Sequence, residues 1–304
     1  MLPIVAILIV LLLCSSPLSA QGPDLTGTWS NTILTPLERP RAFGDRAFFT
    51  EAEARDFESP EKTYERWKAV REANVDAKIS TEIISPFADT GFRKIGADRR
   101  TSLILDPPDG RLPARTREAQ QRALMALLSR PYRPPDDPED LLPSERCLIW
   151  GAGPPLLPLP NNSNIQIVQT SRYVVIFHES MHDARVVPLD GRPHLSPPIR
   201  EWKGDPRGRW DGGTLVVDTT NFTDKTTIEG SGPDAHVVER FTRVGRDELR
   251  YEVTVEDPAN FARSWTAGWT MTRMTERLFE YACHEANYSM EMTLKGARAQ
   301  EKDR

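Results

Sequence analysis

The second half of the chain is a succession of short apolar, β-branched or alternating segments separated by turn residues, the pattern of strand after strand. Eight segments carry it: Ile165 to Gln169, Tyr173 to Glu179, Asp183 to Leu189, Thr214 to Thr220, His236 to Arg243, Glu248 to Val255, Ser264 to Met274 and Leu278 to Cys283. In the seventh, Trp265, Ala267, Trp269 and Met271 share one face, and Thr266, Gly268, Thr270 and Thr272 share the other. Asp190-Gly191, Asp211-Gly-Gly213, Gly245-Arg-Asp247 and Asp257-Pro258 stand where reversals are needed. Glycine accepts the positive φ of tight turns, and proline fixes its own φ. Asp190-Gly191 comes after two β-branched runs and is read as the closure of a hairpin. Short strands joined by reversals predict a mainly β fold, an antiparallel meander forming a barrel or a strongly curved sheet.

The first half has a mixed pattern. Asp24 to Asn31 (DLTGTWSN) is a short strand. Thr50-Glu-Ala-Glu53 fits a capping box, with the Thr hydroxyl accepting from the third helical N–H and the Glu reaching back. Ser59-Pro60 restarts a helix whose Tyr64, Trp67 and Val70 share a face, so helix is expected over about 50–75. Arg100 to Leu105 is strand-like and runs into Asp106-Pro-Pro-Asp-Gly110, which predicts a hairpin. A second helix is expected over 116–129, with Leu124, Leu127 and Leu128 on one stripe and Pro131 ending it. Residues 131–143 (PYRPPDDPEDLLP) are extended, acidic and rich in proline, a surface connection. The helices belong outside the sheet, and the mature chain, residues 21–304, is read as a single β-rich domain.

Residues 1–20 form an apolar run ending in small residues at Ala20, a secretory signal with secreted or periplasmic localisation as its consequence. The run is too short for a comfortable membrane span of roughly 20 residues, so no membrane contact is expected once it is cleaved. A net charge of -5 with no basic stripe argues against nucleic acid and leaves small molecules as the expected partners. Beyond the leader only Cys147 and Cys283 remain. In an exported chain such a pair is most simply a disulfide, with two buried thiols as the alternative.

His178 to His182 (HESMH) matches the letters of the H-E-x-x-H zinc motif. That motif needs a helix to set both imidazoles on one face, whereas the residues around it here are strand-like, so no metal is assigned and no cofactor is expected. Four residues are candidates for proton transfer: His182, Asp183, His236 and Glu239. An imidazole titrates near neutrality, and a carboxylate beside it holds its tautomer. Arg185, Glu179, Trp210, Asn221 and His284 are candidates for ligand contact, Arg185 through a planar fork suited to an anionic group. Against this stands a bland reading in which Asp183, Arg185, Glu239 and Arg240 are cross-strand ion pairs on a solvated face. His194, beside the Asp190-Gly191 turn, is expected to support the loop. No G-x-S-x-G elbow and no phosphate-binding glycine loop is present.

Several blocks resemble a large group of exported bacterial proteins without an assigned activity. They are SLILDPPDGR (Ser102 to Arg111), SERC (Ser144 to Cys147), GPPLLP (Gly153 to Pro158), HDARVVPLDGRPH (His182 to His194), Arg209 to Thr227, HVVERF (His236 to Phe241) and EYACHE-x-NY (Glu280 to Tyr288). The resemblance runs along most of the mature chain and implies export and a shared site. The chain departs from it at Gly213, where the group carries an acidic residue, and at His178, where it carries something other than His. The G-x-W of Gly27 to Trp29 is similar to the opening of lipocalin barrels. The expectation is an exported, lipocalin-like β protein binding a small organic molecule, with an anionic group near Arg185. The alternatives are a hydrolase, lyase or isomerase built on a His-carboxylate pair, and an envelope structural or interaction module.

Overall fold

The computed structural model describes residues 22–59, 94–129, 135–150, 153–159, 162–225 and 231–302. The expected leader and the helix expected beyond Pro60 lie outside the described residues. Among the described residues ten strands form one antiparallel sheet: β1 (Gly27–Ser30), β2 (Ile104–Asp106), β3 (Ile165–Gln169), β4 (Tyr173–His178), β5 (Asp183–Pro188), β6 (Asp205–Asp211), β7 (Thr214–Thr220), β8 (His236–Arg243), β9 (Glu248–Glu256) and β10 (Trp265–Met274). Their order is β5-β4-β3-β1-β10-β9-β8-β7-β6, and β2 pairs with the start of β10 beyond the end of β1. The sheet curls until its two end strands meet, which nearly closes a barrel. A Cβ on Gly208 of β6 would lie 2.7 Å from Val187 and from Leu189, so only glycine lets β6 approach β5 this closely.

The period-two pattern fills the barrel. Trp265, Ala267, Trp269 and Met271 point inward with Leu249, Tyr251, Val253 and Val255 of β9, while Trp29, Ile167, Ile176, Val217 and Phe241 come from the other strands, all buried. Phe241, Tyr251 and Trp269 stack in tilted contacts, with ring centroids 5.0 and 4.8 Å apart. The interior is therefore a packed core of side chains.

Among the described residues three helices lie outside the sheet: α1 (Glu51–Phe57), α2 (Arg117–Ser129) and α3 (Ser289–Lys302). Both halves of the expected capping box form at α1: Thr50 Oγ1 accepts from Glu53 N at 3.2 Å and Glu53 Oε2 from Thr50 N at 2.9 Å. Leu124 of α2 is not seated on the core, being 54% exposed. Polar anchors hold that helix instead, among them Arg122 to Asn260 Oδ1 at 2.8 Å. No helix was expected over α3, which is polar on most of its surface and carries the i,i+4 pair Glu291–Lys295.

Four expectations change. Asp190-Gly191 closes no hairpin: β4 and β5 are joined by residues 179–182, with Met181 and His182 at φ 60 and 49. Residues 189–204 then form a long connection to β6. Leu278 to Cys283 is not a strand, because side chains take its N–H groups, Phe279 N donating to Glu179 and Tyr281 N to the His182 ring. Ile104–Asp106 forms no hairpin across the Asp106–Gly110 turn and pairs with β10 instead. An unexpected strand, β6, has the composition DPRGRWD, in which proline and glycine replace the apolar members of the alternation.

Cys147 and Cys283 form a disulfide 136 residues apart in sequence. It joins the Ser144–Cys147 turn to the segment after β10, and closing a loop of that length contributes about 4 to 5 kcal/mol in the chain-entropy model. Residues 135–143 are tied down: Asp137 caps the turn Pro138–Asp140, and Arg298 of α3 donates to the Pro135 and Asp136 carbonyls. Among the described residues no helix is long and apolar enough to cross a membrane.

Candidate functional site

Antiparallel register brings the C-terminal ends of β1, β4, β7 and β9 to the same end of the barrel as the N-terminal ends of β3, β5, β6, β8 and β10. The polar residues of the sequence gather at this end, in three separate groups.

The first group is inside. Arg185 of β5 and Glu239 of β8 are 3% and 0% exposed and meet fork to fork, Nη1 to Oε2 at 2.6 Å and Nη2 to Oε1 at 2.9 Å. Tyr251 donates to Glu239 Oε1 at 2.8 Å and accepts from Leu156 N at 3.0 Å. Leu156 O accepts from Asn31 Nδ2 at 2.7 Å, and Asn31 Oδ1 accepts from Trp269 Nε1 at 2.6 Å. This chain of bonds anchors buried Pro154, Pro155 and Leu156 across the barrel end. Burial works against the Arg185 charge, but the Glu239 carboxylate more than offsets it and holds the guanidinium above its ordinary value. Burial, and then the same carboxylate, push the Tyr251 phenol well up. At the rim Asp183 pairs with Lys203, whose ammonium burial pulls below its ordinary value. His178, on the inner face diagonally across from Arg185, accepts from Ser180 N through Nδ1 at 3.1 Å, and burial lowers it to about 4.

The second group is on the outer face. β8 alternates, so His236 and Glu239, three residues apart, face opposite sides of the sheet. Outside, His236 Nε2 lies 3.0 Å from Asp218 Oδ1 and His194 Nε2 lies 3.1 Å from the same atom. His194 Nδ1 reaches Asp205 Oδ2 at 3.1 Å, and Asp205 also accepts from Arg207 and from Leu195 N.

The third group surrounds the disulfide. Residues 144–147 and 280–289 form the walls of an open cleft of about 650 Å³, lined by Glu145, Asn162, Glu280, Tyr281, Glu285 and Asn287 among others. Asn287 Nδ2 ties the walls together at Glu145 O, 3.2 Å, and at Cys147 Sγ, 3.3 Å. The lining carries three carboxylates and no lysine or arginine. Burial raises the Tyr281 phenol. His182 stands behind Tyr281, its Nδ1 accepting from Tyr281 N at 2.8 Å, and exposed His284 lies next to the cystine.

The expected single cluster therefore does not form. Arg185 and Glu239 come together, with Asp183 near them, but His182 is on the turn after β4 and His236 is on the far side of the sheet. The Arg185 fork, expected to meet an anionic ligand, is taken by Glu239. Glu179 is buried, accepting from Asn164 Nδ2 at 3.0 Å and Phe279 N at 2.8 Å. Asn221, at φ 61, spends its amide on the carbonyls of Leu195, Ser196 and Ile199. Trp210 packs, half-buried, at the edge of the core. Among the described residues no group of three or more His, Cys, Asp or Glu is arranged to hold a metal ion. Glu145, Glu280 and Glu285 were not singled out from the sequence, although the SERC and EYACHE blocks that carry them are the two walls of the cleft.

No family model, no curated protein and no solved structure matches the chain.

Proposed function

We propose that the protein is an exported receptor for a small polar organic molecule, cationic or rich in hydroxyl groups, held in the cleft beside the disulfide. One observation carries the reading: three glutamates, two asparagines and a tyrosine line a cleft of about 650 Å³ whose walls a disulfide joins. That volume lies within the range of roughly 300–1,000 Å³ common for small-molecule sites. Carboxylates only accept when ionised, so they favour N–H and O–H donors and repel an anionic ligand. The hydrophobic leader and the disulfide support export to an oxidising compartment, in line with the resemblance to exported proteins.

A thermal-shift screen of amines, sugars and polyols against carboxylic acids tests the assignment. Amines or polyols should raise the melting temperature, a ligand at 100 times its Kd adding about 2.7 kcal/mol, and the double variant Glu280→Gln/Glu285→Gln should lose the shift. Stabilisation by carboxylic acids alone, or a shift that the double variant keeps, rejects it.

A second reading, an enzyme using a His-carboxylate pair, draws on half-exposed His236 against Asp218 at 3.0 Å. Turnover lost in His236→Ala with ligand binding kept would favour it over the receptor.

A further inference from the structure

The outer-face group contains hydrogen bonds that a neutral imidazole does not complete. His194 places Nδ1 3.1 Å from Asp205 Oδ2 and Nε2 3.1 Å from Asp218 Oδ1. Both oxygens belong to carboxylates, which accept and do not donate. A neutral imidazole has one N–H and one lone pair, so it would set that lone pair against one of the two oxygens, whereas the doubly protonated ring donates to both. His236 offers no relief, since its Nε2 faces the same Asp218 Oδ1 at 3.0 Å. Two imidazoles thus converge on one carboxylate oxygen.

The position of His194 gives this arrangement its consequence. The residue lies in the connection 189–204, which carries the chain from β5 to β6, the two neighbouring strands of the barrel that share no ladder. We propose that a second proton on His194 fastens this connection to the outer face of β6 and β7, making the fastening a low-pH device. The groups facing the ring come from four strands. They are Asp205 and Arg207 on β6, Asp218 on β7, His236 on β8 and, beyond it, Glu256 on β9, 3.7 Å from His236 Nδ1. Arg207 donates to Asp205 and, through Nε at 2.9 Å, to Pro193 O, so Asp205 has a permanent cation beside it. The contacts of Asp218 here are the two imidazoles.

The donor count sets the sign. The folded arrangement needs the charged ring, so the fastening is complete at low pH and is lost as pH rises through the range where His194 gives up its second proton. The amide clamp of Asn221 on Leu195, Ser196 and Ile199 does not titrate. Nor does the Arg207 bond to Pro193 O, so release is confined to the His194 ring and the peptide that follows it, whose readout is the Leu195 N–H donated to Asp205 at 2.8 Å.

Ring-nitrogen NMR on protein labelled with ¹⁵N-histidine, together with exchange of the Leu195 amide, tests the proposal between about pH 5.5 and about pH 8.5, either side of the ordinary imidazole range. At the lower pH both His194 nitrogens should carry protons. Losing one should speed Leu195 exchange about tenfold after correction for base catalysis, the effect of one charge-assisted hydrogen bond. Asp218→Asn replaces an acceptor with a donor that neutral His194 can use, and should leave Leu195 protected at both pH values. His236→Gln should keep the pH dependence. A neutral His194 at about pH 5.5 with Leu195 protected throughout, pH dependence surviving in Asp218→Asn, or its loss in His236→Gln would each overturn the proposal.

Discussion

Glu239 and Arg185 show how much one pair of residues commits in this protein. Both are buried, so removing one partner leaves a charge without its counter-ion in a medium that solvates it poorly. Glu239→Ala should cost about 3 to 5 kcal/mol in urea unfolding, and Tyr251→Phe about 1 to 3, because the buried Leu156 N–H then loses its acceptor. A second expectation concerns His178, lowered by burial from 6.5 to about 4. Its folded value lies below its unfolded one, so the unfolded chain takes up the proton first. Stability is intact above 6.5 and falls as pH drops toward about 4, by roughly 3 kcal/mol from this group. His178→Gln should flatten that slope in unfolding curves recorded between those pH values. These roles are only half legible in the sequence. Glu239 and Arg185 stand out as charges within apolar strands, but grouping His236 with Glu239 overlooks strand parity across HVVERF, which buries Glu239 and leaves His236 outside.

Among the elements, those with a regular apolar face were legible and those held by exceptions were not. β7 and β8 have the expected limits because β-branched and aromatic runs between turn residues define them, and α1 starts where its capping box starts. β6 escaped because Pro206 and Gly208 occupy its inward positions, and at Gly208 a side chain would block the approach to β5. Leu278 to Cys283 misled because Leu278, Phe279 and Tyr281 suit a strand while Glu179 and His182 take its backbone donors. The disulfide, legible from the count of two cysteines, makes an element-scale prediction. Cys147→Ser/Cys283→Ser should lower stability by about 4 kcal/mol and weaken any ligand of the cleft. Calorimetry of the double variant, with and without ligand, measures both, and unchanged affinity would separate the cystine from the architecture of the cleft.

At the scale of the whole molecule, barrel closure rests on Gly208 and on the connection that lies over it. Gly208→Val would set its Cβ 2.7 Å from Val187 and Leu189, and overpacking of this kind costs about 1 to 3 kcal/mol. Hydrogen exchange should show the loss concentrated in β5 and β6 and smaller in β9; a uniform loss would mean the closure is not where the strain is absorbed. The barrel itself was legible from seven of the eight predicted segments and their turns. That it is filled rather than hollow was not, because the ring stack of Phe241, Tyr251 and Trp269 depends on which strands become neighbours.

That neighbourhood also sets a timetable for assembly. β1 is flanked by β3 and β10, with Thr28 opposite Met274 and Gln166, so the first strand among the described residues lacks a partner on one side until nearly the whole polypeptide has been made. Pairings this remote in sequence are slow to form. A ribosome-bound intermediate ending before residue 265 should leave the indole of Trp29 wet, and its fluorescence should blue-shift only when the final strand arrives.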